Sequence, residues 1–237
     1  MSASSGALGI IMLDTTFERP PGDVGHAGSW RFPVKFRKVR GASVSLVVRA
    51  GGEGLVEDFI AAGRELISEG CSAIITSCGF MARHQRILAE ALGVPVAASS
   101  LMQLPMIEMT LGSGLRPGVI TYDGASLSDD VFKACGADPS VPVRGAPSGG
   151  AFHALIEGCA AYDHAELEAE LIDVGRKLVA EYPSVGAIVL ECTNMPPFAQ
   201  AISAALGLPV FDILTLGEWL FTSTSPRIFR RTEQSAL

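Results

Sequence analysis

Two cysteines carry the clearest chemistry in this 237-residue chain. Cys78 closes the apolar run AIITSC and Cys192 closes AIVLEC, and each is followed by a short loop that leads into a helical pattern. That order puts each thiol at the carboxyl end of a strand and beside a helix N-terminus. A free thiol has a pKa of about 8.5, and a helix N-terminus or a nearby cation lowers it into the range where thiolate is present at neutral pH. A thiolate and a thiol facing each other across one carbon are a base and an acid on opposite faces. Such a pair can remove a proton next to a carboxylate. It needs no cofactor if amides and hydroxyls hold the carboxylate as it gains enolate-like charge. Thr193 and Asn194 after Cys192, and the amides of Gly79 and Phe80 after Cys78, are placed for that work. Reprotonation from the far side inverts the centre, giving racemisation or epimerisation of a small acid. Loss of a β-substituent gives elimination instead; the cysteine pair alone does not choose, and racemisation or epimerisation is the leading expectation with elimination the alternative.

A lone cysteine at a strand end is more often a core residue than a catalyst; recurrence at the same place in both halves of the chain reverses that judgement. Cys78 and Cys192 are 114 residues apart, the spacing that also separates Pro95 from Pro209 and Met81 from Met195. Upstream, GRELISE at Gly63 matches GRKLVAE at Gly175, and GIIMLD at Gly9 matches GVITYD at Gly118. Such a duplication is sought before any motif is interpreted. Cys71, Cys135 and Cys159 lack a cysteine counterpart and are read as structural.

The elements that must position the thiols follow from the same repeat. In the first half, LGIIML, VSLVV, SAIIT and VPVAAS read as strands, with helices from about Val56 to Glu69 and Arg83 to Leu92. In the second half, GVITY, PVRGA, GAIVL and LPVFDI read as strands, with helices from about His164 to Glu181 and Ala199 to Leu206. Strands alternating with helices mean βαβ units and a parallel sheet. The expected fold is therefore α/β, two similar three-layer lobes with mainly parallel sheets related by a pseudo-twofold axis. The last strand, Val210 to Ile213, and the tail are expected to cross back, which assigns residues 1–107 and 213–237 to the first lobe and 108–212 to the second. The active site falls in the cleft between lobes, at the carboxyl ends of the strands.

Asp14 and Asp123 also recur, each ending the first strand of its half; they either border the cleft or make strand-end turns. After Asp14 comes the Pro/Gly-rich stretch FERPPGDVGHAGSW, with Arg19, Asp23, His26 and Trp30, a length typical of lids and binding loops. Thr121 and Tyr122 match Met12 and Leu13 and are expected to line the cleft as substrate-binding residues. His84 reads as an exposed helix residue. The four histidines lack HxxxH or HExxH spacing, so no metal site is indicated. There is no GxGxxG after a strand and no GxxxxGK[ST].

Composition bounds the rest. A net charge of -7 argues against a nucleic-acid binder, which needs a basic face. A 48% hydrophobic fraction with 18% charged residues supplies a large core, and no apolar run reaches the roughly 18 residues of a membrane span. The N-terminus has no basic region or cleavage pattern, so a cytoplasmic enzyme is expected. Five cysteines without a CxxC pair read as free thiols in a reducing compartment. A small carboxylate substrate, no nucleic acid or membrane partner, and a homo-oligomer complete the expectations. A two-lobed sensor without chemistry is the non-enzyme alternative, which has no use for paired thiols.

At these residues the chain resembles the aspartate/glutamate racemase superfamily, whose members have two such lobes, a cysteine from each, and usually no cofactor. Within it the chain looks closest to the branch that includes algal dimethylsulfoniopropionate lyases. The strings that carry this are PPGD (Pro20 to Asp23), CGFM (Cys78 to Met81), SSLMQLP (Ser99 to Pro105), LECT (Leu190 to Thr193), Pro196-Pro197 and GLPVFD (Gly207 to Asp212). The resemblance implies that Cys78 and Cys192 are the acid–base pair. It departs from glutamate racemases, which show Cys-Asn-Thr and Cys-Thr-His where this chain has Cys78-Gly79-Phe80 and Cys192-Thr193-Asn194. It departs also from arylmalonate decarboxylases, which keep one catalytic cysteine.

Overall fold

The computed structural model describes residues 6–158 and 160–226; Cys159 and the tail assigned above to the first lobe beyond 226 lie outside them. The first half runs β1 (Ala7–Met12), β2 (Val34–Lys38), α1 (Val44–Val48), α2 (Val56–Ser68), β3 (Cys71–Thr76), α3 (Gln85–Leu92), β4 (Val96–Ala97) and α4 (Leu104–Thr110). The second runs β5 (Arg116–Thr121), α5 (Asp129–Ala134), β6 (Val143–Gly145), α6 (Ala151–Ile156), α7 (His164–Glu181), β7 (Val185–Leu190), α8 (Ala199–Leu206), β8 (Val210–Phe211) and α9 (Ile213–Thr224). Each half forms a four-stranded sheet, ordered β2-β1-β3-β4 in the first and β6-β5-β7-β8 in the second, with every pairing parallel. The duplicated sequence thus folds as a duplicated topology.

Period-two alternation explains how the first sheet is covered. Leu8, Ile10 and Met12 of β1, with Ala73 and Ile75 of β3, bury one face against Ile213, Leu216, Leu220 and Phe221 of α9. The intervening residues, such as Ile11 and Ile74, bury the other face with Phe59, Ile60 and Leu66 of α2. Burial of this kind contributes roughly 1.5–3 kcal/mol per large side chain, and it fixes β1 and β3 on both faces. The expected return to the first lobe is made by α9 and not by the last strand, since Ile188 and Val189 of β7 pair with Val210 and Phe211 of β8 in the second sheet. Asp212 starts α9 with a capping box, its side chain accepting from Thr215 N–H at 2.9 Å.

VSLVV is a helix and not the expected strand. Its β-branched composition favours a strand, but β2 already occupies the outer edge of β1, and Ser43 caps the segment by accepting from Leu46 N–H at 3.2 Å. The second strand is VKFRK, whose lysines and arginine suit a sheet edge paired on one side only. No helix of the described residues is long and apolar enough to cross a membrane.

Candidate active site

Strands β3 and β7 end at Thr76 and Leu190, and each thiol follows two residues later. Parallel strands aim their carboxyl ends alike within a sheet, and the facing lobes bring both ends onto one narrow pocket. Its walls include Cys78, Gly79 and Phe80 from the first lobe and Tyr122, Glu191, Cys192, Thr193 and Asn194 from the second. Val44 and Val48 of α1 and Ile156 of α6 also line it, and its inner space is about 20 Å³, room for one water. Those three residues and Tyr122 also line a wider pocket of about 370 Å³, whose rim carries Asp14, Phe17, Arg49 and Glu157. Asp14 therefore borders the mouth and not the thiols; it accepts from Gly41 N–H at 3.0 Å and pairs with Lys38 at 3.3 Å. Asp123 makes the strand-end turn, accepting from Ala125 and Ser126 N–H.

The thiols are not acidified as their sequence setting suggests. Burial pushes Cys78 up to about 12, helped by the Glu191 carboxylate, against the amides of Phe80 and Met81 and the charge of Arg83. Loss of water raises Cys192 as well, followed by Glu191, against the amide of Asn194; Cys78 and Asp23 raise it further. The amides at the start of each loop do favour thiolate, as expected, but desolvation outweighs them in the narrow pocket.

The polar residues expected to hold substrate are mostly engaged with protein. Thr121 donates to Glu191 Oε2 at 2.7 Å, and Thr193 donates to the Ser77 carbonyl at 2.7 Å across the lobes. Asn194 Oδ1 lies 3.6 Å from Cys192 Sγ, and its Nδ2 donates to Asp23 Oδ2 at 2.6 Å. Asp23 is in turn held by Arg19 at 2.8 Å. Tyr122 stacks on His153 at 4.2 Å and donates to Glu157 Oε1 at 3.1 Å, where Arg49 also bonds at 2.8 Å. Burial raises the Tyr122 phenol to about 12, with Glu157 adding to it. His84 is buried and not exposed, its Nε2 lying 2.7 Å from the Gly51 carbonyl.

The Pro/Gly-rich stretch after Asp14 docks on the second lobe. Val24 N–H bonds the Thr193 carbonyl at 3.3 Å, and Gly22, at φ +98°, would place a Cβ 2.9 Å from Pro197 Cα. Only glycine fits that contact and that backbone. Sequence reasoning passed over Glu191, although a lone carboxylate at the end of an apolar strand, one residue before the thiol, is a readable signal. Arg49 and Glu157 gave none, because they meet only through the fold.

The two-lobed parallel α/β fold recurs in solved structures of arylmalonate decarboxylase and glutamate racemase. A mutant of arylmalonate decarboxylase in a sulfate-associated form superposes with a TM-score of 0.62 at 17% identity, over 92% of this chain and 93% of that one. Glutamate racemase from Francisella tularensis in complex with D-glutamate gives 0.57 at 14% identity, over 92% and 80%. In sequence the chain is similar to dimethylsulfoniopropionate lyases. It is 28% identical to one from Durusdinium sp. clade D over 90% of its length, spanning 73% of that protein. It is 30% identical to dimethylsulfoniopropionate lyase 7 of Emiliania huxleyi over 88% of its length, spanning 64% of that protein. No protein-family model matches the chain. These relatives and neighbours are enzymes, with names that span lyase, decarboxylase and racemase chemistry.

Proposed function

We propose that this chain is a cofactor-independent lyase that starts β-elimination by removing a proton next to a carboxylate, with dimethylsulfoniopropionate or a close analogue as substrate. The observation that carries the reading is the meeting of Cys78 and Cys192, one from each lobe, on a single narrow pocket, in a chain whose relatives are lyases of that name. One thiolate takes the proton from the carbon beside the carboxylate. The electron pair forms the new C=C bond as the C–S bond breaks, so dimethyl sulfide leaves, acrylate remains, and the proton stays on sulfur until water removes it. The other thiol delivers no proton in elimination; it would be the donor only if the same carbon were reprotonated, as in racemisation. Arg49 at the mouth suits the carboxylate of an entering substrate, while Tyr122 offers ring surface to the sulfonium. The inner and outer pockets share Val44, Val48, Ile156 and Tyr122, so a substrate entering the outer one reaches the thiols past those side chains.

Incubation with dimethylsulfoniopropionate in deuterated water tests this. The expected result is acrylate and dimethyl sulfide in equal amounts. Absence of both, together with loss of optical rotation and uptake of deuterium in a chiral acid, overturns elimination and leaves the racemase chemistry that the same thiols allow.

A further inference from the structure

Glu191 takes no part in the two-thiol scheme, and its surroundings are poor for an ionised carboxylate. It is 1% exposed. Its Oε2 accepts from Thr121, but Oε1 has no hydrogen-bond partner among the described residues. That oxygen lies against the backbone of Gly79, where any Cβ would overlap it. No salt bridge reaches the group among the described residues. A buried charge with one open oxygen and no counter-ion is costly, and such a group answers by keeping its proton. Burial accordingly pushes Glu191 up to about 7, against the Thr121 hydroxyl and Tyr122 amide that favour its charged form.

The groups facing it come from every side. Asp123 beyond β5 adds a negative charge, while Thr121 and Tyr122 donate from the same segment. Cys78 and Gly79 face it from the first lobe, with Arg83 acting on Cys78. Cys135 after α5 also feels its charge, and Cys192 follows it in the chain. In each of the three thiols the Glu191 carboxylate disfavours thiolate.

We propose that Glu191 is a positioning residue that sets the charge of the thiol pair: the buried centre holds one negative charge, so Cys78 or Cys192 becomes thiolate only while Glu191 is the neutral acid. This rests on the reading of the two thiols as proton carriers. An ordinary cysteine gains thiolate tenfold per pH unit up to its pKa. Here ionisation of Glu191 above neutrality works against that gain, so the reactivity of the pair flattens where that of a plain thiol would climb.

The test is the rate of iodoacetamide alkylation at Cys78 and Cys192, followed by peptide mass spectrometry from pH 6 to 9.5 on the full chain. For the wild type the rate is expected to rise less than tenfold per unit above about pH 7. For Glu191→Gln it should keep rising tenfold per unit, which makes the variant about a hundredfold faster at pH 9, two units above the break. Thr121→Val removes a bond that favours the ionised carboxylate, so the break should move to higher pH. Parallel wild-type and Glu191→Gln curves overturn the inference; if that variant does not fold, an unshifted break in Thr121→Val overturns it. No substrate enters the measurement. A chain with the shifted curves but no acrylate loses the lyase reading alone, and one with acrylate but parallel curves loses this inference alone.

Discussion

Cys78 and Cys192 leave equivalent strands of equivalent sheets, yet the two lobes treat them differently. In the first lobe the residue before the thiol is Ser77, whose hydroxyl accepts from Leu13 N–H at 2.9 Å, and the residues after it are Gly79 and Phe80. Around Cys78 the first lobe itself supplies amides, the Thr76 hydroxyl and apolar side chains, and the Glu191 carboxyl reaches it only from the other lobe. In the second lobe the matching positions are Glu191, Thr193 and Asn194. Cys192 therefore sits beside a carboxyl group and at the end of a polar chain through Asn194 and Asp23 to Arg19. Duplication supplied two thiols on one axis, and divergence of the flanking residues made them unequal. Unequal thiols are what an acid–base pair requires, because one must give up a proton while the other keeps it.

Removing either sulfur is the harshest way to break the comparison. Of Cys78→Ser and Cys192→Ser, the one that removes the base should lower elimination on the order of a thousandfold, the scale of losing a positioned base, and the other should cost less. Both variants should keep the wild-type circular dichroism, since serine nearly matches cysteine in volume. Acrylate formation by both variants within tenfold of wild type would show that neither thiol is the base.

The next effect isolates the second lobe. Unfolded, Glu191 ionises near its ordinary value of 4.5, whereas in the fold it keeps its proton to about 7. The native state thus holds an extra proton between those values. The stability from this group is full below about pH 4.5 and is lost as the pH rises through 7, about 3 kcal/mol in all. Urea unfolding at pH 5 and pH 8 should show that fall in the wild type and a loss smaller by about that amount in Glu191→Gln. The matching Ser77 has no charge to titrate, so Ser77→Ala should leave the pH slope unchanged.

What the sequence made legible follows the same division. Strands such as AIITS and AIVLE and the helix His164–Glu181 are local patterns, so the repeat located both thiols at strand ends before any coordinates. VSLVV misled because its hydrophobicity is local information and its place beside α6 is not. Its strand propensity yielded to a capped helix once β2 had taken the sheet edge. Glu191 could be seen as a residue, but the packing of its open Oε1 against Gly79 is made by the other lobe. The raised thiols have the same origin. Strand-end geometry predicts helpful amides, but only the narrow pocket reveals how little water is left to support a charge.

A smaller change tests how tightly the first lobe is fitted to the second. Gly79 stands where the repeat places Thr193, and a methyl group there would meet the Glu191 carboxyl and backbone carbonyl. Gly79→Ala should cost about 2 kcal/mol by overpacking in a region where backbone faces backbone. Urea midpoints should fall with the slope unchanged. A cost below about 0.5 kcal/mol would mean that the lobes yield at this contact.

The smallest expected effect reverses the exchange. Thr193 donates its hydroxyl to the Ser77 carbonyl at 2.7 Å, a bond that pins the second thiol loop to the first. Valine matches threonine in shape but leaves that carbonyl unpaired, a loss of about 1 kcal/mol if water reaches it and more if none does. Because Val24 N–H bonds the Thr193 backbone and not its side chain, the docking of the Pro/Gly-rich stretch should survive. Thr193→Val is therefore expected to lower stability by about 1 kcal/mol while Cys192 alkylates at nearly the wild-type rate. A large change in Cys192 reactivity, with stability intact, would move Thr193 from holding the lobes together to acting on the thiol, and the contrast between the two cysteines would then rest on hydroxyls as well as on Glu191.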